Sequence, residues 1–197
     1  MNKTNTPNYV TELPKEYKLY DKINLSDKKT ANKIQYVFIG VAAIMFIGAR
    51  LLDFPMSSTY QGWLTALITI SLCIVYMFLH ELTHGLFIRL ISHQKPKYNL
   101  KFPYLTTGTS VYLSKKSFMI ICLAPVVIWG LVLIGVILLV PEAWFLIIYI
   151  VLIVNFGGSA GDYFQTYHFF KLPKDALLKD DGDTTVVYSK NSKPQTN

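Results

Sequence analysis

The stretch Phe78-Leu79-His80-Glu81-Leu82-Thr83-His84-Gly85-Leu86-Phe87 sets a His-Glu-x-x-His pattern inside an apolar run. Two histidines four apart on a helix lie one turn from each other on the same face, so both imidazoles can reach one divalent cation. Glu81 follows the first of them, where its carboxylate can stand beside a metal and take a proton from water without being a ligand. With four His in 197 residues, random order produces this pattern somewhere with a probability of roughly 0.002. Ionisable groups at membrane depth cost about 2.5 to 3.5 kcal/mol on insertion scales, which makes an idle cluster there expensive. The alternative is an interhelical hydrogen-bond cluster that only packs helices.

The run is apolar because the whole chain is. Hydrophobic residues make up 52% and charged residues 16%, with a mean hydropathy of +0.34, less charge than a soluble domain of this length carries. The formal charge of +7 is spread over separate loops and forms no stripe with interleaved aromatics, which argues against a nucleic-acid partner. Cys73 and Cys122 both fall in apolar runs, so neither a disulfide framework nor a cysteine zinc site is available. The first apolar run starts near Ile34, behind 33 largely polar residues, the wrong place for a cleaved signal peptide, so the first span is expected to stay.

Four candidate spans follow, at about 34–52, 62–91, 117–140 and 143–170, each longer than the roughly 18 residues a bilayer requires. Ser26-Asp27 is placed to cap a helix running into the first. Residues 1–33 read as a mobile polar arm with seven Lys, and residues 171–197, with five Lys and four Asp, as a tail disordered beyond Pro173. The connection between spans two and three carries Lys95, Lys97, Lys101, Lys115 and Lys116 and no acid, whereas the other two connections carry only Arg50 beside Asp53, and Glu142. Basic loops stay inside, so both termini and the middle connection are expected to be cytoplasmic, in a multi-pass protein of the cell membrane.

That topology brings a second ionisable group to the first. Apart from Asp53 and Glu142 at span ends, Glu81 and Asp162 are the acids of the spanning section. Span two runs inward from Gly62 to His80 and span four from Ala143 to Asp162, about 27 to 29 Å each at 1.5 Å per residue, so the two share a level. Asp162 is thus the expected third ligand beside His80 and His84; its alternative is a carboxylate solvated at the helix exit. Gly157-Gly158-Ser159-Ala160-Gly161 would let span four approach span two closely or loosen its backbone around a site. Asn155, on about the same face as Asp162, is a candidate to touch a substrate carbonyl, and equally one to bond another helix. His93 and His168 read as interfacial.

In the middle connection, 98–104 and 110–113 alternate about the Gly108 turn, a hairpin signal in which Pro103 suits an edge strand. Such an edge could bind an extended peptide by strand addition, or merely link the spans. Spans one and three offer no ionisable core residue and read as scaffold. The expected fold is therefore an all-α membrane protein of about four transmembrane helices, with a short cytoplasmic-side β-hairpin between spans two and three.

The chain resembles the integral-membrane zincins, most closely small bacterial zincin peptidases of unknown function related to the site-two-protease class. The resemblance covers about 34–170. It rests on His80-Glu81-x-x-His84-Gly85, on Phe102-Pro103-Tyr104 and Gly108 followed by Leu123-Ala124-Pro125, and on Asn155 with Asp162. It implies Zn2+ held by His80, His84 and Asp162, Glu81 as the catalytic residue, Asn155 as substrate-binding, and membrane-embedded protein or peptide substrates cut near the cytoplasmic side. The second motif departs from the site-two-protease pattern: no Pro follows Asn155, and Asp162 lies between Gly161 and Tyr163. The alternative function is a metal-binding membrane protein without proteolysis, a divalent-ion carrier or a partner-binding pseudoprotease.

Overall fold

The computed structural model describes residues 7–101 and 104–191. In chain order it contains β1 (Tyr9–Val10), β2 (Lys18–Asn24), α1 (Lys28–Leu51), α2 (Gly62–Ser92), β3 (Lys97–Lys101), β4 (Tyr104–Gly108), β5 (Tyr112–Ser114), α3 (Lys115–Leu139), α4 (Phe145–Gly158), α5 (Ala160–Phe170), β6 (Leu177–Asp180) and β7 (Thr184–Ser189). Among the described residues four helical segments are long and apolar enough to cross a membrane: α1, α2, α3, and the stretch Glu142–Phe170 that holds α4 and α5. Their outer faces are apolar and uncovered, with Tyr36, Ile44, Leu131 and Leu138 each more than two-thirds exposed. Such continuous apolar surface suits lipid far better than water.

Each helix starts and bends for a local reason. Asp27 caps α1, its carboxylate accepting from the Lys29 and Thr30 amides at 3.1 and 3.3 Å, which are donors the first turn cannot satisfy internally. The first span therefore begins six residues earlier than its apolar run. Ser114 caps α3 in the same way, through the Ser117 amide. The fourth span is not one helix: it breaks at Ser159, whose hydroxyl turns back to the Asn155 carbonyl at 2.8 Å. The break fits the loosened backbone that these small residues allow, and at Gly157 the neighbour admitted is α1. A Cβ on Gly157 would stand 3.0 Å from the Phe38 ring, whereas nothing lies within 4 Å of one on Gly161.

The polar ends correct the all-α expectation. Residues assigned to a mobile arm and a disordered tail form, with β5, a five-stranded antiparallel sheet of order β1-β5-β6-β7-β2. Its buried face (Ile23, Leu113, Leu178, Val187) packs on Ile88 of α2, Phe118 and Ile121 of α3, and Phe169 of α5. A second cluster, including Ala49, Tyr76, Leu133, Tyr149 and Leu152, joins α1 to α4. Along α2 the first cluster is met at Ile88 and the second at Tyr76, with His80 and His84 between them in the chain. The β-hairpin exists, but in another register than expected: β3 pairs with β4, Lys97 opposite Gly108, so Gly108 ends a strand where a turn was expected. The run at 110–113 enters the five-stranded sheet instead. Phe102 and Pro103, and with them the edge-strand expectation for Pro103, lie outside the described residues.

Candidate metal centre

α2 carries His80 and His84 one turn apart, and α5 brings Asp162 to both. The two Nε2 atoms stand 3.1 Å from each other. Asp162 Oδ2 is 3.2 Å from His80 Nε2 and Oδ1 is 3.4 Å from His84 Nε2. These separations test the donor set against a metal. Three atoms bonded to a common zinc at about 2.0 to 2.1 Å, at tetrahedral angles, stand about 3.3 Å from one another. The two nitrogens, and each nitrogen with the carboxylate oxygen facing it, stand close to that value, and one ligand atom from each of the three residues lies within 4.8 Å of the other two, so the residues present fit a zinc ion. Among the described residues no other group of three His, Cys, Asp or Glu side chains comes together in this way.

Each imidazole is gripped from behind. His84, buried, has Nδ1 2.9 Å from the Ile121 carbonyl of α3. That carbonyl is free to accept because its helical partner four residues on is Pro125, which has no N–H. In the sequence Pro125 lies in a span that reads as scaffold and in a stretch that carries the family resemblance; in the structure it frees the acceptor that orients His84. His80 Nδ1 lies 3.0 Å from the Tyr76 hydroxyl, which is one turn earlier on the same face of α2. Metal-binding histidines generally use their second nitrogen in this manner.

Glu81 is not one of the three residues whose donor atoms converge. Thr107 of β4 donates to its carboxylate at 2.8 Å, so the hairpin holds the acid at the centre's side. His80, Glu81, His84 and Asp162 all line one cavity of about 580 Å³, whose wall continues along Leu105, Thr106, Thr107 and Gly108 of β4 and reaches Asp180 of β6 and Gly182 of the turn that follows it.

Not every expected residue arrives. Asn155 is fully buried, its Oδ1 accepting from Tyr76 at 2.8 Å and its Nδ2 donating to the Val126 carbonyl at 3.2 Å. It does not line the cavity, so it makes the interhelical bonds that were the alternative to substrate contact. His93 closes α2 in a left-handed conformation (φ 54°), and His168 packs edge-on against Phe164; neither joins the centre. Sequence reasoning missed Tyr76 and Thr107, and found Pro125 without its effect on the Ile121 carbonyl. Tyr76 had a signal, the four-residue step to His80; Thr107 had none, since only the hairpin register takes it to Glu81.

A helical chain that brings His-Glu-x-x-His on one helix together with a carboxylate from another has a donor set that could hold the metal of a zincin. The family model "Putative zincin peptidase" matches residues 73–177, just over half of the chain, and the chain belongs to that family. The matched region takes in Tyr76, the His-Glu-x-x-His helix, Thr107, Pro125, Asn155 and Asp162. No curated protein and no solved structure matches the chain.

Proposed function

We propose that the chain is a zinc-dependent intramembrane peptidase of the site-two-protease type, hydrolysing membrane-embedded substrates near the cytoplasmic side. The observation that carries this reading is the convergence of His80, His84 and Asp162 from two helices far apart in sequence, with the Glu81 carboxylate bound by Thr107 on the wall of the same cavity. Placement within the bilayer is supported by the apolar outer faces of the helices that bear all four residues. The cytoplasmic side is favoured because the arm, the middle connection and the tail, which hold most of the Lys residues, contribute strands to a single sheet and so lie together.

His80, His84 and Asp162 would hold the ion, which when bound supplies a Lewis acid that polarises the scissile carbonyl and acidifies water. Glu81 takes the proton from the attacking water and delivers it to the leaving nitrogen. Spanning peptides hide their carbonyls in helical hydrogen bonds, so a substrate must unwind before attack. β4 offers it a place to go: it lines the cavity, and β3 is its one ladder partner among the described residues. An extended substrate segment would add to that edge through main-chain hydrogen bonds.

The test is Glu81→Gln, which keeps the shape and removes the proton acceptor. In cells, membrane proteomes of the wild type and the variant are compared for an uncut partner that accumulates. Turnover of that partner by purified protein is expected to fall about 10²- to 10⁴-fold, with zinc content unchanged. Equal processing by both proteins would contradict the proposal.

A further inference from the structure

We infer that α3 dictates, through two of its backbone carbonyls, which nitrogen of each ligand histidine carries hydrogen, and that Tyr76 and Asn155 are positioning residues that act on His80. The inference rests on the metal-centre reading above and adds how that centre is kept ready for a cation.

The direction of every hydrogen bond in the chain from α3 to His80 follows from its first member. The Val126 carbonyl can only accept, so the Asn155 group facing it at 3.2 Å must be the amide nitrogen. The amide oxygen is thereby turned toward Tyr76, and an amide oxygen can only accept. Tyr76 has a single hydroxyl hydrogen, spent on Asn155 Oδ1 at 2.8 Å. Toward His80 Nδ1, at 3.0 Å, the tyrosine oxygen can then only accept. His80 must carry its hydrogen on Nδ1, which leaves the Nε2 lone pair pointing at Asp162 and His84, where a cation needs it. His84 reaches the same state in one step, through the Ile121 carbonyl that Pro125 leaves open. Space for the relay is also built in, since a Cβ on Gly130 of α3 would come 3.3 Å from Asn155 Nδ2.

The relay makes a claim that simple packing does not. Asn155→Leu removes the acceptor that occupies the tyrosine hydrogen; the hydroxyl is then free to donate to His80 Nδ1, and the histidine hydrogen moves to Nε2, facing the ion. Tyr76→Phe removes the acceptor for the Nδ1 hydrogen. Once the hydroxyl is gone, Asn155 has nothing left to orient, so the two effects share one path and cannot multiply.

The experiment titrates zinc, against a competing chelator, into the full-length purified chain in its wild-type, Tyr76→Phe, Asn155→Leu and doubly substituted forms. Each single variant is expected to bind zinc about 10- to 100-fold more weakly, and the double variant no more weakly than the weaker single. Asn155→Asp guards against misfolding as the explanation. Its protonated carboxyl keeps an acceptor toward Tyr76 and a donor toward Val126, so its affinity is expected near the wild-type value. Affinities indifferent to the single substitutions, losses that multiply in the double variant, or an Asn155→Asp chain as weak as Asn155→Leu would overturn the inference alone. A wild-type chain without zinc affinity would overturn the metal centre as well.

Discussion

Thr107 Oγ1 stands 2.8 Å from a carboxylate oxygen of Glu81 and 3.0 Å from its backbone carbonyl, so a side chain 26 residues further on orients that carboxylate. A hydrogen bond to a charged group contributes about 1.5 to 3 kcal/mol, so Thr107→Val is expected to lower peptide turnover about 10- to 100-fold, with zinc affinity unchanged. Thr107→Ser keeps the hydroxyl and should retain most of the activity. Steady-state turnover of an identified substrate checks both, and a fully active valine variant would show that Glu81 needs no such support. At this scale the sequence was readable wherever chemistry follows a helical step. His80, Glu81 and His84 announce themselves, and Asp162 could be matched to them by counting rise along two spans. Asn155 was found but only half understood: its residue type suits a substrate contact, and only packing reveals that both ends of its amide are already engaged.

The ends of the chain were illegible for a different reason. β7 does alternate, with Thr185, Val187 and Ser189 buried, but two of those three side chains are polar and hide the period of two that marks a strand. Their hydroxyls are paired instead. Thr185 donates to Asp180 at 2.8 Å and accepts from Gln165 of α5 at 3.2 Å. The sheet is thus keyed to the helix that carries Asp162. Burial pushes the Asp180 carboxyl up to about 6 from 3.8, against the opposing pull of the Gly182 amide and the Thr185 hydroxyl. Between those two values the folded chain keeps a proton that the unfolded chain has released, so this group makes stability fall as pH rises through the window from 3.8 to about 6. Melting temperatures of the wild type and Asp180→Asn across that range are expected to diverge, the wild type losing ground relative to the variant as pH rises. A constant difference would place the Asp180 carboxyl at its ordinary value. The close approach of the hairpin to the β6–β7 turn adds a steric requirement. A Cβ on Gly108 would meet the Asp181 backbone at 2.8 Å, so Gly108→Ala is expected to destabilise this junction by about 1 to 3 kcal/mol, read as a lowered melting temperature.

Taken whole, the molecule ties three polar segments, separated by pairs of apolar helices, into one sheet on one side of the helical body. A chain read as arm, bundle and tail hides this, because apolar runs and basic loops report the spans and not what their connections do. The sheet order makes the tail structural, since β6 and β7 separate β5 from β2. A chain cut after Pro173 is expected to lose the sheet, release α5 and bind zinc far more weakly; unaltered zinc affinity would mean that the helices hold Asp162 without help.

The central claim is that α2 and α5 meet to hold one cation. It is tested most directly by the zinc content of the purified full chain, by elemental analysis, for the wild type beside Asp162→Ala and Glu81→Gln. One zinc per chain is expected for the wild type and Glu81→Gln, and none for Asp162→Ala. Zinc retained at full occupancy without the Asp162 carboxylate would contradict the account.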